Sequence, residues 1–414
     1  MKFFVIDDSP FIVTAVTQIL REAGHEVQST ISPQDAVDAV LAFHPDAILL
    51  DLMMPAIDGY ELCVRFRKLR ELDQTKIIIL TGKSYEFDKR RAKGVGADAF
   101  LVKQGLISNQ VKFLQEVMSI MSKEITLTYW GTRGTLPVPG ENSLRYGGNT
   151  LCTSLSVDHE PLLIFDAGTG ITCLAEHLSA QKVPRVTTKL FISHPHWDHI
   201  NAIPFFTPLY VQGNEIEIIG PAHGHMSFRE IVSAQMDDVY FPVTIREFAA
   251  RVYFRDMREE TLRFGNFEIQ SMLLNHPGTC LGYRITLNGR SVCYVTDNES
   301  CPADSSFFNP EYEEKLVDFV RETDILITDC AYLDEEYLVK MGWGHSGTSE
   351  VALLAHNAKV GSLHLIHHDP AQDDAAAIAR KLAQATEHLE RLNSSVKCAC
   401  PVERSSYVLS SKSI

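Results

Sequence analysis

Over its first 120 residues the chain switches five times between an apolar, β-rich run and a stretch with helical spacing, and the connecting loops are short. "KFFVID" leads into "PFIVTAVTQILREAG", with Pro10 in the first turn of the predicted helix and Gly24 at its end. "EVQST" precedes a helix that starts near Ser32, "DAILL" precedes "DGYELCVRFRKL", and "KIIILT" precedes "YEFDKRRAKGVG". "AFLVK" is followed by a last helix over roughly residues 106 to 123. Five β–α units in series predict an α/β fold with a doubly wound parallel sheet. In that architecture ligands sit at the carboxyl ends of the strands.

The texture changes near Ser122, without an intervening Gly/Pro-rich linker, so the last helix is expected to run almost directly into a second domain. From "ITLTYWG" onward come clustered short strands, among them "PLLIFDAG", "KLFISH", "EIEIIG", "SVCYVTD", "DILITDC" and "SLHLIHH". Helices are predicted over 348–358 and 371–391, which makes this half a strand-rich α/β domain with room for two sheets. The expected boundaries are 1–122 and 123–414, and residues 224–262 fit neither periodicity and read as an inserted, partly helical lid or interface segment.

Charge narrows the partners. Of the net −15, residues 1–124 contribute −2, from 15 Lys/Arg against 17 Asp/Glu, and the remainder contributes −13. A long nucleic acid wants a basic surface, so it is disfavoured, whereas a pocket for one small phosphate ester is compatible. Nine scattered cysteines indicate reduced thiols. No apolar run reaches the ~20 residues of a membrane helix, and Asp7 and Asp8 interrupt any signal-like core. A cytoplasmic protein without a membrane partner is expected.

Asp7 and Asp8 end the first predicted strand, Asp51 the third, Thr81 the fourth and Lys103 the fifth, so all five converge on one sheet edge. Any one of them could be a turn former or a solvated surface residue, but the set is not explained that way. Clustered carboxylates call for a divalent cation, and Mg²⁺ prefers oxygen ligands. The motifs "VIDDS", "DLMMPAIDG", "ILTGK" and "AFLVK" resemble a response-regulator receiver domain over residues 1 to about 122, which is a (βα)5, flavodoxin-like fold. The resemblance implies Asp51 as phosphoacceptor and Mg²⁺ held by Asp8, Asp7, Asp51 and the Met53 carbonyl. It further implies Thr81 and Lys103 at the phosphoryl group, Phe100 as the aromatic switch residue, and a sensor histidine kinase as partner. Gln104 departs from the proline usual after the lysine.

The second constellation is "FISHPHWDHI", Phe191 to Ile200, which crowds His194, His196, Asp198 and His199 into one turn after a strand. Two metals need more ligands than one loop offers. His276, Asp297 and His367 stand at later strand ends and can complete the set. The pattern resembles the metallo-β-lactamase fold, an αββα sandwich, over roughly 125–414. By that resemblance His194, His196 and His276 hold one metal, Asp198, His199 and His367 the other, Asp297 bridges, and Asp166 in "IFDAGTG" orients the metal loop. The ligand set suits Zn²⁺, Mn²⁺ and Fe²⁺ alike.

Residues 130–150, "WGTRGTLPVPGENSLRYGGNT", and 343–355, "WGHSGTSEVALLA", are similar to the phosphodiesterase branch, which includes tRNA 3′-processing ribonucleases and cyclic-nucleotide phosphodiesterases. His345 is then the expected general acid, ahead of a simple polar helix start. Arg133 and Arg145 are candidates to hold phosphate oxygens, with a plain surface role equally open. Tyr240, Phe241 and Pro242 could stack on a base, form a homodimer contact or simply pack in a core. The expected function is a response regulator whose output is a dinuclear metal-dependent phosphodiesterase acting on a small phosphodiester. The alternatives are an ester or thioester hydrolase of the same fold, an RNA-processing enzyme, and a non-catalytic binding module.

Overall fold

The computed structural model of the 414-residue chain describes residues 1–82, 91–92, 94–103, 110–121, 124–157, 160–181, 183, 185–265, 267–287 and 289–409. The chain divides into two compact units, residues 1–123 and 124–412.

In the first unit, β1 (Lys2–Ile6), β2 (Glu26–Thr30), β3 (Ala47–Asp51), β4 (Lys76–Thr81) and β5 (Ala99–Val102) form a parallel sheet in the order β2-β1-β3-β4-β5. The three central strands are apolar except at their ends because helices cover both faces. Phe4, Ile6, Ile48, Leu50, Ile77 and Ile79 pack with helices Ala36–Phe43 and Gly59–Arg67. Phe3, Val5, Leu49, Ile78 and Leu80 face helices Pro10–Glu22 and Gln110–Met121. The doubly wound expectation holds. Most of the helix expected between β4 and β5, and Gln104, lie outside the described residues.

The second unit is a four-layer αββα sandwich. Its first sheet has the order β11-β10-β9-β8-β7-β6-β19, built from β6 (Ile125–Gly131), β7 (Cys152–Ser156), β8 (Leu162–Phe165), β9 (Thr187–Phe191), β10 (Glu215–Pro221), β11 (Arg251–Met257) and β19 (Ser406–Leu409). The second has the order β12-β13-β14-β15-β16-β17-β18, built from β12 (Thr261–Phe264), β13 (Phe267–Leu273), β14 (Leu281–Leu287), β15 (Arg290–Val295), β16 (Ile325–Asp329), β17 (Ser362–Ile366) and β18 (Lys397–Ala399). Between the sheets, Leu127, Tyr129, Phe165 and Phe191 interdigitate with Ile269, Tyr283, Tyr294 and Ile327. Helices Gly170–Ala180 and Phe228–Gln235 cover the outer face of the first sheet, and Pro310–Val320, Thr348–Asn357 and Ala379–Arg391 that of the second.

Residues 224–262 are more integral than a simple insertion. They hold a helix opened by a Ser227/Glu230 capping box, and then β11, which pairs in parallel with β10 as a sheet edge. Tyr240 is exposed, while the Phe241 ring meets Phe205 edge-on at 5.3 Å. Among the described residues no helix is long and apolar enough to cross a membrane.

Candidate metal centres

Strand ends deliver the C-terminal cluster. After β9 the chain enters a tight loop and a single helical turn, Trp197–Ile200, which presents His194 and His196 to one ligand group and Asp198 and His199 to a second. His276 follows β13, Asp297 follows β15 and His367 follows β17. Ligand atoms of His194, His196, His276 and Asp297 lie within 4.8 Å of one another, as do those of Asp198, His199, Asp297 and His367.

Asp297 belongs to both groups and divides its oxygens between them. Its Oδ2 lies 3.5 Å from His194 Nε2 and 3.7 Å from His276 Nε2. Its Oδ1 lies 3.3 Å from His199 Nε2 and 3.2 Å from His367 Nε2. Asp198 Oδ2 closes the second group at 3.3 Å from His199 Nε2 and 3.2 Å from His367 Nε2.

The electrostatics fit divalent ions. Among the described residues, Nε2 of His194 and Nε2 of His199 are buried without a hydrogen-bond partner, a costly arrangement unless something else binds there. Burial pushes His194, His196 and His276 below the usual imidazole range, so they present lone pairs rather than protons. In the other group burial is outweighed. Asp198, Asp297 and Asp166 hold His199 well above its ordinary value, and Asp297 and Asp198 do the same for His367. That half draws in positive charge, and a metal ion supplies it with better geometry than two protons. The donor set of imidazole and carboxylate suits Zn²⁺, Mn²⁺ or Fe²⁺.

Asp166 stands behind the cluster. It takes a left-handed backbone (φ 59°) at the end of β8 and accepts from Ser193 N at 2.7 Å, Ser193 Oγ at 3.0 Å and Tyr294 OH at 2.8 Å. Its Oδ2 meets His199 Nδ1 at 2.7 Å, which turns Nε2 toward the metal position.

His345 adjoins the same cluster, with its ring stacked on His367 at 4.6 Å. Its Nδ1 lies 2.6 Å from Oδ2 of Asp329, the last residue of β16. Neither Asp329 nor Glu299 stood out from the sequence. Glu299 is buried and its Oε1 accepts from Gly342 N and Tyr337 OH, its Oε2 from Gly344 N, at 2.6, 3.0 and 2.8 Å. The Gly344 carbonyl in turn meets His276 Nδ1 at 2.9 Å. The detectable signal was the same as for Asp51 and Asp297, an acidic residue at or just beyond a strand end.

One expectation is corrected. Arg133 does not face a phosphate: it is fully buried, and its Nη2 bonds Asp374 Oδ1 at 2.6 Å, its Nη1 the Gln372 carbonyl at 2.6 Å and its Nε the Gly147 carbonyl at 2.9 Å. A guanidinium so engaged is an internal clamp. Arg145 is exposed, its guanidinium 5.1 Å above the Tyr146 ring. His364, bonded to Tyr129 OH at 2.6 Å, and His368, beside Lys381 Nζ at 3.2 Å, serve the core.

In the first unit Asp7, Asp8 and Asp51 bring carboxylate oxygens within 4.8 Å of one another, with Asp8 exposed and the other two buried. Lys103 Nζ spans Asp7 Oδ2 and Asp51 Oδ1 at 2.7 Å each. Burial works against the charged lysine, but these two carboxylates hold it above its ordinary range. Thr81 ends β4 and its carbonyl accepts from Lys103 N at 2.7 Å. Phe100 is half-buried on β5, and Met53 is exposed beyond Asp51. The loop after Asp51 folds back so closely that a Cβ on Gly59 would stand 2.1 Å from the Asp51 carbonyl oxygen, which excludes any other residue there. An all-oxygen donor set of this kind suits a hard cation such as Mg²⁺.

Residues 3–114 match the response regulator receiver domain family, and residues 163–368 match the beta-lactamase superfamily domain. Protein PilG of Pseudomonas aeruginosa is 35% identical over 103 residues, 25% of this chain and 76% of PilG. The transcriptional regulatory protein AfsQ1 of Streptomyces coelicolor is 37% identical over 102 residues, which is 44% of its length. The metallo-beta-lactamase fold protein YhfI of Bacillus subtilis superposes with a TM-score of 0.50 at 17% identity, over 69% of this chain and 100% of YhfI.

Proposed function

The chain belongs to the response regulator receiver domain family in its first unit and carries a beta-lactamase superfamily domain in its second, and from that premise we propose a two-component response regulator whose output is a dinuclear metal-dependent phosphodiesterase. Its substrate is a small phosphodiester such as a cyclic nucleotide, and a sensor histidine kinase sets its activity through Asp51. The observation that carries the reading is Asp297, which turns one oxygen to each of two ligand groups beside the His345–Asp329 pair.

Bound at these positions, two divalent ions would supply an activated water and charge neutralisation at phosphorus. His194, His196 and His276 on one side, and Asp198, His199 and His367 on the other, are the groups that would hold them. As water adds and the P–O bond to the leaving alcohol breaks, that oxygen needs a proton. His345 delivers it from Nε2, because Asp329 accepts from Nδ1–H and so fixes the imidazolium in place. The products are a phosphomonoester and an alcohol. A thioester substrate would leave this pair idle, since a thiolate departs without a proton. The −13 charge outside residues 1–124 argues against a long RNA.

The test is hydrolysis of bis(p-nitrophenyl) phosphate and of an alkyl p-nitrophenyl diester, by protein loaded in turn with Zn²⁺, Mn²⁺ and Fe²⁺. D198A is expected to abolish both activities. H345A is expected to slow release of an alkyl alcohol by roughly 10²–10⁴-fold, measured on dimethyl phosphate or a cyclic nucleotide, and release of p-nitrophenolate far less. Equal losses for good and poor leaving groups would remove His345 from the proton-donor role. Turnover of a thioester such as S-lactoylglutathione, with no diester turned over, would replace the reading.

A further inference from the structure

The chain has three tryptophans, and two of them are left uncovered next to the metal cluster. Trp130 is buried and donates to Ser154 Oγ at 2.8 Å. Trp197 is 80% exposed and Trp343 is 63% exposed. An aromatic side chain offers about 150–250 Å² of surface for burial, so two exposed indoles whose backbones adjoin the ligand cluster offer area that a flat ring can cover.

Both are tied to the site through His276. Trp197 directly follows His196, whose Nδ1 lies 3.2 Å from His276 Nε2. Trp343 directly precedes Gly344, whose carbonyl meets the other nitrogen of the same ring at 2.9 Å. The backbones of the two tryptophans therefore stand one residue away from the two ends of a single His196–His276–Gly344 contact chain.

The support beneath Trp343 is rigid. It sits between Gly342 (φ 87°) and Gly344 (φ 86°), in a backbone form that glycine favours. The N–H groups of both glycines bond the buried Glu299 carboxylate. Trp343 N also donates to the Lys340 carbonyl at 3.1 Å. A Cβ on Gly344 would stand 2.5 Å from His276 Nδ1, so the backbone here lies directly against a metal-ligand candidate. An indole held on such a frame, as Trp343 is, loses little entropy when a flat ring settles on it.

Arg133, one of the two cations expected to hold a phosphate, is fully committed inside the protein and is not available to a substrate. We infer that Trp197 and Trp343 are specificity-determining residues that stack on a planar ring of the substrate, so that the diester carries a nucleobase or an equivalent flat ring on the part retained after cleavage. This rests on the phosphodiesterase reading above, and Glu299 is the positioning residue for Trp343.

The test compares thymidine 5′-(p-nitrophenyl phosphate) with methyl p-nitrophenyl phosphate, which share a leaving group, using the full metal-loaded chain. The ratio of kcat/KM for the nucleoside ester over the methyl ester is expected to fall about tenfold in W343A and in W197A, mainly through KM, and to return in W343F. A ratio that stays constant while both esters lose activity together would overturn the inference. Quenching of tryptophan emission by AMP, set against ribose 5-phosphate, separates the two levels. If neither ester is hydrolysed, the phosphodiesterase reading fails, and AMP quenching that disappears in the W197A/W343A double variant still supports the stacking. Emission unchanged by AMP overturns the stacking as well.

Discussion

Asp166 does the most of any residue that no reacting group touches. One buried carboxylate receives Ser193 through both N–H and hydroxyl, Tyr294 through its phenol, and His199 through Nδ1. D166A is expected to weaken metal binding by roughly 10–100-fold, read by chelator competition and metal stoichiometry, with secondary structure intact by circular dichroism. Unchanged affinity would show that His199 is oriented without it. A second residue-scale effect concerns pH. Burial pushes Glu313 up to about 7, reinforced by Glu350 and opposed by bonds from Cys301 N–H and Ser300. A carboxyl raised in this way contributes stability fully below its unfolded value near 4.5, and loses it as pH rises toward 7. E313Q is expected to raise Tm relative to wild type at pH 8, by about 2–4 °C per kcal/mol regained, and to have no such advantage at pH 4.5. A constant difference at both pH values would refute the assignment. The metal-ligand candidates were legible because four crowd into the turn after one strand signal and three, His276, Asp297 and His367, follow the ends of later ones. Asp329 follows the same rule and was passed over. Glu299 stands four residues beyond the end of β15, so its position gave a weaker signal, and its partners, the Gly342 and Gly344 N–H groups and the Tyr337 hydroxyl, lie in a segment distant in sequence.

At the level of elements, loops and turns decide what the strands can hold. Arg133 shows this most directly: its guanidinium joins the loop after β6 to the 147 turn and to Gln372 and Asp374 ahead of the last long helix. Removing one partner of a buried ion pair costs about 3–5 kcal/mol. R133A is therefore expected to lower the Tm of the second unit by about 10 °C, seen by calorimetry, while the KM for a diester stays near wild type. A large KM increase without a Tm change would restore Arg133 as a phosphate-binding group. The sequence offered no way to separate these roles, because a charged side chain carries no mark of its own burial. The same limit applied to residues 224–262. Their mixed periodicity concealed β11, which alternates exposed and half-buried positions along a sheet edge and so lacks a strong strand signal.

For the whole molecule, the βα alternation was readable because central parallel strands are apolar on both faces, and Phe3 to Ile6, Ile48 to Leu50 and Ile77 to Leu80 are buried throughout. The αββα sandwich was less legible, since strand pairing in two seven-stranded sheets rests on contacts between segments far apart, such as β6 with β19. Most of the acidic balance, −13 of the net −15, lies in the part that holds the proposed hydrolase. The account joins two chemistries on one chain, a phosphoacceptor cluster at Asp51 and a dinuclear cluster around Asp297. Phosphorylation of Asp51 adds about two negative charges beside Lys103 and Thr81, and that change has to reach the hydrolase if the two units form one regulated protein. The most direct measurement is turnover of bis(p-nitrophenyl) phosphate by the metal-loaded chain with and without acetyl phosphate, in wild type, D198A and D51N. The account predicts turnover that requires Asp198 and changes severalfold with acetyl phosphate in wild type but not in D51N. Turnover that persists in D198A, no turnover from protein holding two ions, or the same acetyl phosphate response in D51N would contradict it.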